Sequence, residues 1–101
     1  MKQSIKISCD DPSWMPNISK RLKQILDSSN VRFDYEFSKN EINVKSSEEI
    51  PTRHFVNLSK EFPGQTTRAY FVTSEGTFCS KCYYSFKNGD ETLDDMKIVK
   101  I

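Results

Sequence analysis

The sequence predicts an α+β domain in which an antiparallel sheet carries two helices on one face. Three observations predict it. Short segments alternate apolar and polar residues with period two, two longer segments repeat apolar residues at helical spacing, and compact turn signals separate them. A length of 101 residues suits one core and one domain, residues 1–101.

Ile5, Ile7 and Cys9 alternate with Lys6 and Ser8, the mark of a half-buried strand. Asp10-Asp11-Pro12-Ser13 breaks it, with Ser13 as the expected N-cap and Pro16 inside the first turn, where a missing N–H costs nothing. Trp14, Ile18, Leu22, Ile25 and Leu26 then predict an amphipathic helix ending near Ser28-Ser29-Asn30. Val31, Phe33, Tyr35 and Phe37 alternate with Arg32, Asp34 and Glu36 as a second strand. Ser38-Lys39-Asn40 is a tight turn, and Ile42 and Val44 mark the returning third strand. Ser46-Ser47-Glu48-Glu49 puts hydroxyls and carboxylates where a helix N-terminus favours them. Pro51, Phe55, Leu58 and Phe62 form the second helical stripe, stopped by Pro63-Gly64. From Thr66 to Thr73 and from Phe78 to Phe86 the chain is again β-rich, around a turn at Ser74-Glu75-Gly76-Thr77. Lys87-Asn88-Gly89-Asp90 contains Asn-Gly, suited to the two positive-φ positions of a type I′ turn. Glu91 to Asp95 reads as loose and acidic, and Met96 to Ile101 as a short last edge strand.

The order β-α-β-β-α-β followed by two strands matches the split β-α-β arrangement of ferredoxin-like folds with an additional C-terminal hairpin. Right-handed crossovers make strands one and two parallel, with strand three between them. Leu58-Ser59-Lys60-Glu61-Phe62-Pro63, then Gly76-Thr77-Phe78-Cys79, then Phe86-Lys87-Asn88-Gly89 resemble a small ferredoxin-like family of unknown function found in bacteriophages and mobile elements. The resemblance covers about residues 50–90. It implies a fold and a phage or mobile-element origin, and no activity.

Bulk properties exclude some classes. Fifteen basic and fourteen acidic side chains leave a net charge of +1, evenly divided between the halves of the chain, so no long-range field draws it to phosphate backbones. Nothing after Met1 resembles a leader, no run approaches a membrane span, and an odd count of three cysteines suits a reducing compartment. The expected location is cytoplasmic, without membrane association.

Few residues invite chemistry. Cys79-Ser80-Lys81-Cys82 has zinc-ligand spacing, and His54 and Cys9 complete four ligands on paper. On a strand, however, positions three apart point to opposite faces, so two ordinary thiols are expected. A redox pair lacks the helix N-terminus that lowers a thiol pKa. His54, the single histidine, has no nearby nucleophile to serve. Asp10-Asp11, Glu48-Glu49 and Asp94-Asp95 read as solvated charges rather than acid–base pairs. Gly64, Gly76 and Gly89 are too far apart for a phosphate loop. No catalytic residue, metal or cofactor is expected, and the chain reads as a non-enzyme.

What remains is surface. Both parities of the last aromatic strands are apolar: Ala69, Phe71, Cys82, Tyr84 and Phe86 against Tyr70, Val72, Cys79 and Tyr83. One set packs under the helices. The other lies on the face such sheets leave open, or under the C-terminal segment. Tyrosine suits an interface, with its apolar body and polar tip. The expected partner-binding residues are Tyr70, Val72, Lys81 and Tyr83, rimmed by Asp90, Glu91, Asp94 and Asp95. The leading reading is a phage-type inhibitor or adaptor acting by protein–protein contact, or by self-association. The alternative is single-stranded nucleic-acid binding. Arg68-Ala69-Tyr70-Phe71-Val72 echoes the aromatic RNA-binding strand, yet it follows the second helix, and the third strand, Ile42 to Ser46, has no aromatic residue.

Overall fold

The computed structural model describes residues 1–100; Ile101 lies outside the described residues. Six strands and two α-helices follow one another as β1 (Lys2–Cys9), α1 (Met15–Asp27), β2 (Asp34–Ser38), β3 (Glu41–Ser46), α2 (Arg53–Glu61), β4 (Thr67–Glu75), β5 (Phe78–Lys87) and β6 (Asp90–Lys100). They form one antiparallel sheet in the order β2-β3-β1-β4-β5-β6. β3 separates β1 from β2, and β1 lies between β3 and β4, an arrangement consistent with a ferredoxin-like type.

Alternation decides which side chains meet the helices. Ile5 and Ile7 of β1 face the same way as their partners Val44 and Ile42 on β3 and Phe71 and Ala69 on β4. All six are buried, together with Met15, Ile18, Leu22 and Leu26 of α1, Phe55 and Leu58 of α2, Ile50 and Phe86. These residues make one cluster among the described residues. Beneath α2 the packing is aromatic: Phe55 meets Phe71 edge-on at 5.4 Å and stacks on Phe86 at 5.6 Å. Tyr84 closes the group at 5.3 Å from Phe71. Such pairs each add about 1 kcal/mol beyond the area they bury.

Turn chemistry sets the register. Lys39 and Asn40 both have positive φ, as do Asn88 and Gly89, the pattern of type I′ turns whose twist matches flanking strands. β4 runs on to Glu75, so the third turn is only Gly76-Thr77. The Asn88-Gly89 turn also docks on α2. Gly89 donates its backbone N–H to Ser59 Oγ at 2.9 Å, and Gly64 donates to Asn88 Oδ1 at 3.0 Å. Two of the three segments that carried the resemblance, the end of the second helix and Lys-Asn-Gly, are therefore in contact.

Several boundaries differ from expectation. Asp11 rather than Ser13 is the cap: its Oδ1 accepts from Ser13 N at 3.0 Å and starts a 3₁₀ turn, Pro12–Trp14, ahead of α1. Trp14 is 40% exposed and meets Phe62 edge-on, outside the core stripe. Val31 and Phe33 precede β2 instead of belonging to it. Ser46 ends β3, and Ser46, Ser47 and Glu48 do not cap α2, which begins after Thr52. Instead Ser46 Oγ donates to the Arg32 carbonyl at 2.6 Å, and the Glu48 carboxylate accepts from Arg32 N at 2.8 Å. These bonds tie the β3–α2 loop to the segment leading into β2, satisfying backbone groups that no strand pairs. The largest difference is at the C-terminal end. Glu91 to Asp95 is not loose: β6 runs unbroken through it, with one bulge that lets Tyr83 pair with Asp95 and Tyr84 with Leu93. Pairing with the long β5 supplies the order that acidic composition alone does not suggest.

Candidate functional site

The helices leave the other face of the sheet open. The residues directed there alternate with the core: Lys6 and Ser8 of β1, Arg68, Tyr70 and Val72 of β4, Lys81, Tyr83 and Ser85 of β5, and Asp95 and Lys97 of β6. Register places Tyr70 directly opposite Tyr83, and Val72 opposite Lys81. The four residues expected to bind a partner are thus neighbours on adjacent strands.

The tyrosine rings stack with centroids 4.3 Å apart and planes 14° from parallel. That separation is close to the roughly 4.8 Å between paired strands, so the ring normals run along the inter-strand direction and the rings stand up from the sheet. Each ring uses one face on the other, leaving outer edges and hydroxyls toward solvent. Tyr83 is 43% exposed, and its phenol is held above its ordinary pKa, first by the Tyr70 hydroxyl beside it and then by desolvation.

A polar chain flanks the stack. Arg68 Nε contacts Asp10 Oδ1 at 3.0 Å, and its Nη1 donates to Ser85 Oγ at 3.3 Å. Ser85 in turn donates to the Asp94 carboxylate. Asp94, the bulged residue, is thereby held on the open face next to Asp95, which pairs opposite Tyr83. Lys6, Arg68, both tyrosines, Asp94 and Asp95 line one shallow concavity.

Of the acidic rim, Asp94 and Asp95 lie at this patch and the other two do not. Asp90 pairs with Lys87 beside the turn, and Glu91 pairs with Phe86 on the helix side. β6 extends the sheet instead of covering the open face, so the C-terminal segment does not hide the tyrosines. Cys79 and Cys82 face opposite sides, opposite Ser74 and Phe71 respectively. Among the described residues no three His, Cys, Asp or Glu side chains cluster at metal-binding distance. Burial is the first cause that raises the Cys9 thiol above its usual value and lowers His54 below its own, Arg53 adding to the latter. Among the described residues no helix is long and apolar enough to cross a membrane.

Lys6 and Ser85 did not stand out in the sequence, while Arg68 was noted only within the echo of an RNA-binding strand and Asp10 only as a solvated charge. Only cross-strand register brings them to the tyrosines, because they come from different strands or strand ends and share no motif. Comparison with protein-family models, curated proteins and solved structures finds no match to this chain.

Proposed function

We propose that this chain is a non-enzymatic, cytoplasmic binding domain of ferredoxin-like type that acts by occupying a surface of a protein partner, as an inhibitor or adaptor. The observation that carries this reading is the upright Tyr70–Tyr83 stack on the open sheet face. A rigid aromatic pair offers large contact area with little conformational entropy to lose, and its hydroxyls supply directional bonds at the rim. Val72 extends the apolar centre. Lys6 beside Tyr70, Asp94 and Asp95 beside Tyr83, and Lys81 opposite Val72 supply charge of both signs, which suits a protein surface better than a uniformly anionic one. The resemblance over residues 50–90 adds a phage or mobile-element setting, in which the partner is a host or phage protein.

The test is capture from host lysate with the full chain as bait, read by mass spectrometry beside the Tyr70→Ala/Tyr83→Ala variant. Proteins retained by the parent and lost with the folded variant support the reading. Identical capture by both sinks it.

Single-stranded nucleic acid is the second reading, favoured by Lys6, Arg68 and Lys81 around the stack. Base platforms expose ring faces, however, and here each tyrosine turns one face to the other. Fluorescence anisotropy of a labelled single-stranded oligonucleotide at low salt decides it: no change at micromolar protein rules it out.

A further inference from the structure

We propose that β6 is a self-association edge: two copies pair β6 with β6, antiparallel, about a two-fold axis at Met96, joining their sheets into one. This inference does not rest on the open-face reading above.

β6 pairs with β5 along one side, and no described strand pairs along the other. All of its eleven residues are exposed. A long, unpaired, partly apolar edge is a template for another strand, and proteins that avoid such pairing shorten, charge or cover it. Charge does not distinguish the two edges, since six of the eleven β6 residues are charged, but length does. β2 has only five residues, and two of them, Asp34 and Glu36, are acidic. β6 instead is eleven residues long and carries Leu93, Met96 and Ile98 on the helix side at 47%, 53% and 65% exposure. Phe78 on the neighbouring strand adds to this strip at 55%.

The strand's own charge layout selects its partner. The first half holds Asp90, Glu91, Asp94 and Asp95, and the second half holds Lys97 and Lys100. Antiparallel pairing of two copies lays the acidic half of each against the basic half of the other, whereas parallel pairing lays like on like. Register completes the match. Pairing with β5 shows which face each residue occupies: Glu91, Leu93, Met96, Ile98 and Lys100 the helix side, Thr92, Asp95, Lys97 and Val99 the open side, with Asp94 the bulge. Centring two antiparallel copies on Met96 and passing over the bulge sets Asp95 opposite Lys97, Leu93 opposite Ile98, Thr92 opposite Val99 and Glu91 opposite Lys100. Every pair shares a face, each acid in it meets a base, and Leu93 meets Ile98. The contact is isologous, so it closes at two copies. Pairing β6 with β2 of another copy would be head-to-tail and open-ended, whereas the β6–β6 contact closes on itself.

The test is a charge-reversal cycle on the full chain, with mass from light scattering and folding from circular dichroism. The parent is expected at twice the mass of one chain. Lys97→Glu and Asp95→Lys each place like charges across the seam and weaken the dimer by at least about tenfold, while the double variant Asp95→Lys/Lys97→Glu restores it. Tyr70→Ala/Tyr83→Ala leaves the mass unchanged, which separates this seam from the open face. A parent at single-chain mass at about 100 µM overturns the proposal, because an edge that weak is not an assembly surface. So does a Lys97→Glu dimer as tight as the parent's, a double variant that stays monomeric, or a dimer lost only with the tyrosines.

Discussion

Thr67 is buried at 1% exposure, and its Oγ1 has no hydrogen-bond partner among the described residues. A hydroxyl stripped of water without a replacement bond costs stability, while a methyl of the same shape does not. Thr67→Val is therefore expected to raise stability by up to about 1 kcal/mol, read from urea midpoints at unchanged slope. His54 makes a pH-dependent contribution of known sign. Burial, with help from Arg53, lowers its folded-state pKa below the ordinary value of 6.5. The folded state thus prefers the neutral ring, so the contribution is full above pH 6.5 and is lost as pH falls through the folded value. As His54 is the single histidine, its NMR titration is unambiguous, and the midpoint is expected below 6.5. His54→Gln should flatten the fall in stability that begins just under that pH.

At the scale of elements, the informative unit is the β5–β6 turn and what it rests on. Gly89 has φ +87°, and a Cβ there would lie 2.8 Å from Lys60 Cε. The lysine tip can move, but the left-handed backbone cannot be relieved, so Gly89→Ala should cost about 1–2 kcal/mol. Gly89 bonds Ser59 in the last turn of α2 and Asn88 bonds Gly64 just past it, so loosening the turn should also raise amide exchange there. Asn-Gly was legible as a hairpin because the backbone requirement is local. Its docking on α2 was not, because it depends on two hydroxyl and amide side chains, Ser59 and Asn88, that carry no signal of contact. The same limit explains Ser46 and Glu48. Their composition fits a helix cap, yet the buried Ile50 and the Arg32 backbone bonds draw the loop elsewhere before α2 begins.

Across the whole molecule, order should fall from the centre of the sheet to its edges. β1 and β4 are hydrogen-bonded on both sides and carry Ile5, Ile7, Ala69 and Phe71 into the core. Their amides are expected to exchange most slowly, with β2 the fastest strand. β6 reports on assembly in the same experiment. If two copies join there, its outward amides slow as protein concentration rises.

By itself the sequence determined the elements and their faces. Period-two alternation decided that Tyr70 and Val72 share one side of their strand and Lys81 and Tyr83 one side of theirs, because that periodicity is a property of an extended chain; that the two pairs share a side of the sheet came from the β4–β5 register. Turn residues with positive φ decided where strands reverse. Only the tertiary structure decided that Tyr70 and Tyr83 stand stacked, that Arg68 and Ser85 hold Asp94 beside them, and that Asp90 and Glu91 lie elsewhere. It also turned an acidic stretch into an eleven-residue edge strand. Each of these depends on register between segments distant in the chain, and register is set by the sum of core packing and turn lengths, which no single segment contains.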